Sequence, residues 1–301
     1  MGIFNKKIKQ LQDSDLLNAN AKAASDVAVD LIRGLGGTEV SLTGVVADNY
    51  IVFTNASGGT GVSTLVSNIA YQASLKGLKT LVIDLNLLYP IQHTFFGIKT
   101  SVKETPDLVS YLNGKDALGD CINTENIYSL MYANNRTLND LINCNSEASI
   151  INFNDMMSKL RRLFDLILID CPMRVDDDLC NNVLYNCDAI YLVWDEGLSS
   201  MANTDRFRRN MSYCGIDSFT KMRIIMNKRT NIQYSEYPFK KLNVELVETL
   251  PFDTAIIENS VKAQIFTAKA SSNSKNAAEF EQRIISLTDK VLKIGGYVGK
   301  K

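Results

Sequence analysis

The fold is decided by YIVFTNASGGTGVST, residues 50–64, in which an apolar run ends at a glycine-rich turn. The run 50–55 predicts a β-strand, and the helical spacing of apolar residues over 63–76 predicts a helix after the turn. Glycines let the backbone N–H groups of such a turn point inward, and a helix N-terminus adds the positive end of its dipole. The stretch therefore predicts a phosphate cradle, although a plain strand-to-helix turn would explain it equally well.

The turn departs from the complete phosphate-binding pattern at one position. That pattern is G-x-x-x-x-G-K-[ST], and Val62 stands where its lysine belongs. The lysine neutralises the β- and γ-phosphates, so its absence predicts weaker binding and weaker stabilisation of a transition state.

Two carboxylates support a nucleotide site. KTLVIDLN (79–86) places Asp84 at the end of a predicted strand, and FDLILIDCP (164–172) places Asp170 at the end of another. Carboxylates that converge on Ser63 and Thr64 would form the oxygen-rich shell that Mg²⁺ needs. The alternative is that each aspartate only caps a helix or forms a turn.

The remaining chain repeats a strand–helix rhythm. Apolar runs predict strands that are covered on both faces, at 50–55, 79–85, 127–133, 164–170, 187–194, 222–227 and 244–250. Helical spacing predicts helices at 63–76, 137–144, 152–163, 177–186, 199–214, 232–242, 253–267 and 276–294. This alternation predicts an α/β fold with a doubly wound, mainly parallel sheet. A further β-like stretch, 40–46, is predicted to form a hairpin with 50–54.

Composition narrows the function classes. The chain has 301 residues, 46% hydrophobic content and a net charge of −1, which excludes global disorder and argues against coating nucleic acid by bulk charge. Neither a run of 18 apolar residues nor a secretory signal pattern is present, and the six cysteines are scattered, which favours reduced thiols and a cytoplasmic location. With one histidine, His93, a histidine-ligated metal or a histidine-based triad is disfavoured.

Five segments taken in order resemble a known family: SGGTGVST, VIDLNLLYP, DLILIDCP, IIMNKR and TLPFDTAIIENSVKAQIF. Over residues 48–294 the chain resembles the MinD/ParA superfamily of deviant-Walker P-loop ATPases. Most members carry a second lysine at the position of Ser57, so both lysines of the family are absent here. The small residue followed by Ser-Thr is similar to the TadZ/CpaE branch, which places Tad/Flp pilus machinery. Asn86 departs from the usual D-x-D, and a receiver-like domain common in that branch is absent.

The resemblance implies roles for individual residues. ATP or ADP would be bound with Mg²⁺. Backbone N–H donors to the phosphates would come from Gly58, Gly59, Thr60, Gly61 and Val62. Ser63, Asp84 and Asp170 would form the metal shell, with Thr64 at the α-phosphate and Asp84 orienting the attacking water. Asn227 would contact the adenine edge near Pro251 and Phe252, although Asn227 could equally cap the next segment.

The resemblance implies a P-loop NTPase-like domain, taken as 38–301. Apolar residues at steps of three and four over 1–33, stopped by the glycines of 34–37, predict an N-terminal helical extension over 1–37. The expected function is nucleotide-dependent positioning as a homodimer that recruits assembly or pilus proteins, with little or no turnover because both lysines are missing. The alternatives are an active partitioning or positioning ATPase and a structural pseudo-ATPase that binds no nucleotide. The absence of a C-terminal tyrosine cluster weighs against the related tyrosine kinases.

Four further features have a functional and a structural interpretation. His93 could be catalytic or a hydrogen-bonded loop residue, and the arginines of 206–209 could touch an acidic partner or DNA or form a solvated face. The acidic run 176–178 could bind metal or start a helix. Either terminal helix could contact the inner face of the cell membrane peripherally. Residues 1–12 are the candidate for that contact, whereas the helix 276–294 is predicted to pack on the sheet.

Overall fold

The computed structural model describes residues 48–98, 105–124, 127–134, 136–172, 174, 177–230, 242–268 and 274–294. These residues form a seven-stranded sheet with the order β3-β2-β4-β1-β5-β6-β7, in which every neighbouring pair of strands is parallel. The strands are β1 (Tyr50–Asn55), β2 (Thr80–Asp84), β3 (Ser129–Met131), β4 (Leu166–Asp170), β5 (Ala189–Trp194), β6 (Met222–Arg229) and β7 (Glu245–Pro251). All seven predicted strands are confirmed, and so is the doubly wound fold class.

Helices cover both faces of this sheet. They are α1 (Val62–Leu75), α2 (Gln92–Phe95), α3 (Leu108–Leu112), α4 (Leu138–Asn143), α5 (Glu147–Leu163), α6 (Asp178–Asn186), α7 (Leu198–Tyr213), α8 (Ser218–Lys221), α9 (Thr254–Val261) and α10 (Lys275–Ile294). Short 3₁₀ turns lie at Leu118–Cys121 and Phe266–Ala268.

The apolar runs are explained by burial on both faces of the sheet. Along β1, Tyr50 and Val52 belong to one hydrophobic core, while Ile51 and Phe53 belong to the core on the opposite face. Successive side chains of a strand point to opposite faces, so a central strand must be apolar at every position. Strand β1 lies between β4 and β5, which places the end of β1 at the point where the strand order reverses.

Some predicted boundaries were wrong. The predicted hairpin between 40–46 and 50–54 involves a stretch outside the described residues, and within them both edges of β1 are occupied by β4 and β5. Helix α5 begins earlier than predicted because Ser146 caps it by accepting a bond from Ser149 N. The predicted helix 253–267 is split after Val261, where Ala263 adopts a positive φ of 56°.

Several predicted features lie outside the described residues. These are the N-terminal extension 1–37 with its predicted membrane-contact segment, the stretch 40–46 and most of the predicted helix 232–242.

The long C-terminal helix packs as predicted. Phe280, Ile284, Leu287 and Val291 of α10 are buried in the same core as β1, and Phe280 meets Phe266 edge to face at 5.6 Å. All six cysteines are free thiols, five of them buried, as the sequence predicted. None of the helices in the described ranges is both long enough and apolar enough to cross a membrane.

Candidate functional site

The glycine loop follows β1 and leads into α1. Gly59 and Gly61 have φ values of +78° and +94°, a region of the backbone map that side-chain-bearing residues rarely enter. Gly61 is the N-cap of α1, and it offers no side chain to occupy the free N–H groups of the first turn. The loop therefore leaves these donors available to an anion, and phosphate binding by them stays a prediction.

Two side chains of β6 hold the loop from outside. Asn227 Nδ2 donates to the carbonyl of Thr60 at 2.8 Å, and Lys228 Nζ donates to the carbonyl of Gly59. A Cβ atom on Gly61 would lie 2.6 Å from Asn227 Nδ2, closer than real Cβ atoms approach. Glycine at 61 is thus required both by its backbone conformation and by the contact between the loop and β6.

The two positions that lack lysine are integrated into the structure in other ways. Ser57 Oγ lies 2.8 Å from Ser200 Oγ, and Ser200 donates to Asp195 Oδ1 at 2.6 Å. Val62 is only 7% exposed and belongs to the apolar core around α1. Neither position brings a positive charge to the loop.

The predicted carboxylates meet at one edge of the sheet. Asp84 of β2 and Asp170 of β4 are register partners, and both side chains are buried. Burial and, next, the neighbouring charge of Asp170 raise the pKa of Asp84 to about 7, although three backbone N–H groups oppose this rise. Burial also raises the pKa of Asp170, against hydrogen bonds from Ser63 and Gln92.

The loop after β2 surrounds this pair of carboxylates. Asp84 accepts backbone hydrogen bonds from Asn86 at 3.0 Å, Ile91 at 2.8 Å and Gln92 at 2.9 Å. Gln92 Nε2 also donates to Asp170 Oδ2 at 2.7 Å and to the carbonyl of Ser63 at 3.0 Å. The side chain of Gln92, the first residue of α2, therefore connects the first turn of α1 with the end of β4.

Sequence reasoning missed both Gln92 and Lys228. Gln92 is fully buried, yet the sequence shows only a glutamine beside His93 in a loop. The signal that could have found Gln92 is its place in the loop that leaves a carboxylate-bearing strand. Lys228 directly follows Asn227, which the sequence did single out.

A cavity of about 210 Å³ lies beside the glycine loop. Its lining includes the predicted nucleotide residues Gly61, Thr64, Asn227, Pro251 and Phe252. The structure thus brings these residues together at one opening, with apolar walls from Ile256 and Phe280. Asn227 lies within β6 and bonds to the loop, so the alternative in which it caps the next segment is wrong. Contact with adenine remains a prediction.

The donor set suits magnesium. Ser63 contributes a hydroxyl, and Asp84 and Asp170 contribute carboxylates, which are the hard oxygen ligands that Mg²⁺ prefers. Two adjacent buried carboxylates repel each other, which adds to the rise that burial causes in the pKa of Asp84, and a divalent cation would relieve that repulsion. The residues present therefore fit the metal that the fold family implies.

Two other candidates from the sequence, His93 and the acidic run 176–178, make contacts that favour a structural role. His93 stacks on Tyr132 with ring centroids 5.2 Å apart, lies 3.3 Å from Thr94 Oγ1, and has a pKa lowered by burial. Asp177 caps α6 by accepting from Cys180 N at 2.9 Å, which confirms that this part of the acidic run starts a helix, while Asp176 lies outside the described residues.

The arginines of α7 are partly engaged within the fold. Arg208 donates to the carbonyl of Leu242 and lies over the ring of Phe219, with the guanidinium carbon 4.3 Å from the ring centroid. Arg209 pairs with Asp205 at 2.9 Å on the same helix. These contacts favour a structural role for two members of the cluster.

The fold and the loop define a P-loop nucleoside-triphosphatase architecture with a variant phosphate-binding sequence. The family model of the AAA domain matches residues 48–213, and the chain belongs to this family, within the MinD/ParA superfamily.

The chain is similar to one named relative in sequence and to two solved structures in fold. Tyrosine-protein kinase CpsD of Streptococcus agalactiae is 28% identical over 186 residues, covering 60% of this chain and 75% of the kinase. The MinD structure from Pyrococcus horikoshii, complexed with Mg-ADP, superposes with a TM-score of 0.66 at 22% identity, covering 82% of this chain and 97% of that one. The ParA family ATPase of Chlorobium tepidum gives a TM-score of 0.65 at 18% identity, covering 80% and 99%. The superfamily that the sequence predicted is confirmed.

Proposed function

We propose that this chain is a nucleotide-binding positioning or scaffold protein of the MinD/ParA type, with little or no turnover of ATP. The observation that carries the proposal is a contrast within one site. The glycine conformations and both metal carboxylates are present, whereas positions 57 and 62 hold serine and valine in place of lysine. The groups needed for binding are kept, and those that make phosphoryl transfer fast are missing.

Binding is supported by the geometry of the loop. Backbone donors from Gly58 to Val62, the N-terminus of α1 and the hydroxyl of Thr64 would contact the phosphates of ATP or ADP. The base would enter the cavity lined by Asn227, Pro251 and Phe252. Ser63, Asp84 and Asp170 would hold Mg²⁺, which supplies charge neutralisation at the phosphates when bound.

Slow turnover is supported by two features of the chain itself. First, charge that develops on the γ-phosphate would lack the lysine that stabilises it in the active enzymes. Second, the carboxylate of Asp84 already accepts three backbone N–H bonds from the loop after β2, and this restricts its capacity to orient a water molecule.

Nucleotide binding at such a site would control the assembly of protein complexes. A nucleotide that binds one state preferentially shifts the population toward that state without being hydrolysed. The working unit would be a homodimer closed over the nucleotide, as the superfamily resemblance implies, and it would recruit other assembly proteins. Tad/Flp pilus machinery is the candidate that the TadZ/CpaE resemblance suggests. The cytoplasmic location and the peripheral membrane contact through residues 1–12 belong to the same proposal, and nucleic acid is not needed as a partner.

The experiment is isothermal titration of the full chain with ATP and ADP, with and without Mg²⁺, followed by light scattering. We expect micromolar or weaker binding that Mg²⁺ strengthens, and an ATP-dependent increase in mass to that of a dimer. If neither ATP nor ADP gives a binding signal in the titration, the proposal is contradicted and the structural pseudo-ATPase that binds no nucleotide is favoured. A strict monomer at all concentrations would contradict the dimer.

A tyrosine kinase is a second candidate, which the similarity to CpsD over 60% of this chain favours. The missing lysines weaken phosphoryl transfer to tyrosine as much as transfer to water. Within the printed sequence, Tyr297 is the one tyrosine after Tyr237. Incubation with Mg-ATP followed by phosphotyrosine detection tests this candidate: a signal that Asp84→Ala abolishes would favour the kinase over the scaffold.

A further inference from the structure

Lys228 lies in β6 and contacts the glycine loop, which follows β1. Its ammonium group donates to the carbonyl of Gly59, a residue 169 positions earlier in the chain. Beside it, Asn227 Nδ2 donates to the next carbonyl along the loop, that of Thr60. Two consecutive side chains of β6 therefore hold two consecutive carbonyls of the loop.

These bonds determine where the N–H groups of the loop point. In a planar trans peptide unit, the C=O and N–H bonds point in opposite directions. A carbonyl of Gly59 that is fixed toward Lys228 aims the N–H of Thr60 away from β6, and a carbonyl of Thr60 fixed toward Asn227 does the same for the N–H of Gly61. Aligned donors of this kind form an anion-binding concavity.

The backbone of β6 is deformed where Lys228 lies. The pairing of β6 with β7 shifts register between Met226 and Arg229, and Lys228 has a positive φ of 57°. Irregularities of this kind re-aim side chains, and a positive φ on a lysine is strained and persists only where the surroundings fix it. The lysine stem also lines the cavity beside the loop. The deformation thus accompanies a side chain that is directed at the loop.

Lys228 also supplies charge where the loop has none of its own. Ser57 and Val62 leave the two usual lysine positions neutral, while the Lys228 ammonium lies against the loop backbone. A charge-assisted hydrogen bond is roughly twice as strong as a neutral one, and the cation attracts a bound phosphate over a longer range than the bond itself.

We propose that Lys228, with Asn227 as its neighbour, is a positioning residue for the nucleotide phosphates: it orients the Thr60 N–H and contributes positive charge to the loop from outside. This inference rests on the proposed nucleotide-binding function and adds to it a determinant outside the glycine loop. The effect is specific to phosphate, because the base cavity keeps its other walls when the ammonium alone is removed.

The test compares ADP with adenosine in Lys228→Met, which keeps the aliphatic stem and removes the charge. ADP affinity is expected to fall about tenfold or more, and adenosine affinity, measured by competition, to stay within about twofold. Lys228→Arg is expected to recover at least half of the loss. The difference between the parent chain and Lys228→Met should shrink as salt rises, because screening weakens the contribution of the charge.

The outcomes separate the two proposals. If the parent chain binds neither ADP nor ATP, the proposed function fails and the inference falls with it. If the parent chain binds ADP and Lys228→Met binds it equally well, the inference alone is overturned. Equal losses for ADP and adenosine would also overturn it, since they would indicate a general role in the fold. Should Lys228→Met not fold, Lys228→Gln removes the charge and keeps an N–H donor on a side chain one atom shorter, and the same comparison applies.

Discussion

The phosphate side and the metal side of the candidate site are stabilised by different interactions. On the phosphate side, the loop 57–64 is shaped by backbone conformation and by the neutral amide of Asn227 and the ammonium of Lys228. On the metal side, Asp84 and Asp170 carry the charge, and Gln92 and the loop after β2 surround them. The metal side thus has two carboxylates, whereas the loop has no lysine at positions 57 and 62 and is contacted instead by Lys228 of β6. Under the proposed function, nucleotide binding and fast phosphoryl transfer are separate properties of this site.

The largest expected effect is on the phosphate side. In Gly61→Val, a Cβ would lie 2.6 Å from Asn227 Nδ2 at a backbone φ of +94°. We expect a loss of roughly 3 kcal/mol or more of folding stability and no measurable nucleotide binding. Denaturant unfolding and titration measure both effects.

Gly58 provides the matched control. A Cβ at Gly58 meets nothing within 4 Å, and its φ lies outside the left-handed region. Gly58→Ala should fold with nearly the parent stability. If Gly58→Ala lost as much folding stability and nucleotide binding as Gly61→Val, the role assigned to the contact between the loop and β6 would be refuted.

The second prediction concerns the metal side. Gln92→Ala removes the donor to Asp170 and to the carbonyl of Ser63, and it leaves a buried carboxylate with fewer partners. Folding stability should fall by about 1–3 kcal/mol. Gln282→Ala, on the exposed face of α10, is the control and should change stability by less than about 0.5 kcal/mol. A loss in the control as large as that in Gln92→Ala would remove the special role of Gln92.

The third prediction is a pH dependence of the nucleotide-free protein. The pKa of Asp84 is about 7 in the folded chain against an ordinary 3.8, so the folded state binds more protons between these values. Stability should therefore fall as pH rises from about 4 to 7, by an amount on the order of a few kcal/mol, and should stay low above that range.

Asp170→Asn isolates the contribution of the carboxylate pair. It removes the neighbouring charge but keeps an oxygen for Gln92, so the fall with pH should be smaller, although burial still raises the pKa of Asp84. The neutral form of His93 is favoured by its burial and gives the opposite slope, and the comparison of the two chains cancels it. An identical pH profile in both chains would show that the two carboxylates do not interact.

The smallest effect is expected at Ser57. In Ser57→Ala the bond to Ser200 is lost, which should cost about 0.5–1.5 kcal/mol in stability and leave ADP affinity unchanged. A fall in ADP affinity without a fall in stability would mean that Ser57 contacts phosphate, and the purely structural role that its bond to Ser200 suggests would then be wrong.

Features that follow from a local sequence pattern could be predicted, whereas contacts between residues far apart in the chain could not. Strands such as 50–55 and 164–170 were predictable because a central strand is apolar at every position. The meeting of Asp84 and Asp170 was predictable because the carboxyl ends of parallel strands share one edge. The roles of Gln92 and Lys228 were not, because each depends on a register or a bulge that brings distant residues together. The short helices α2 and α3 were missed because four or five residues carry too little periodicity.

The most direct test of the central proposal is phosphate release by the purified chain at saturating Mg-ATP, after titration has established the binding constant. We predict release at the rate of buffer controls, with no further decrease in Asp84→Ala, since neither position 57 nor position 62 holds the lysine that stabilises the γ-phosphate in active enzymes. Steady release at the rate of an active MinD/ParA enzyme, abolished by Asp84→Ala, would contradict the proposal and establish the chain as a working ATPase.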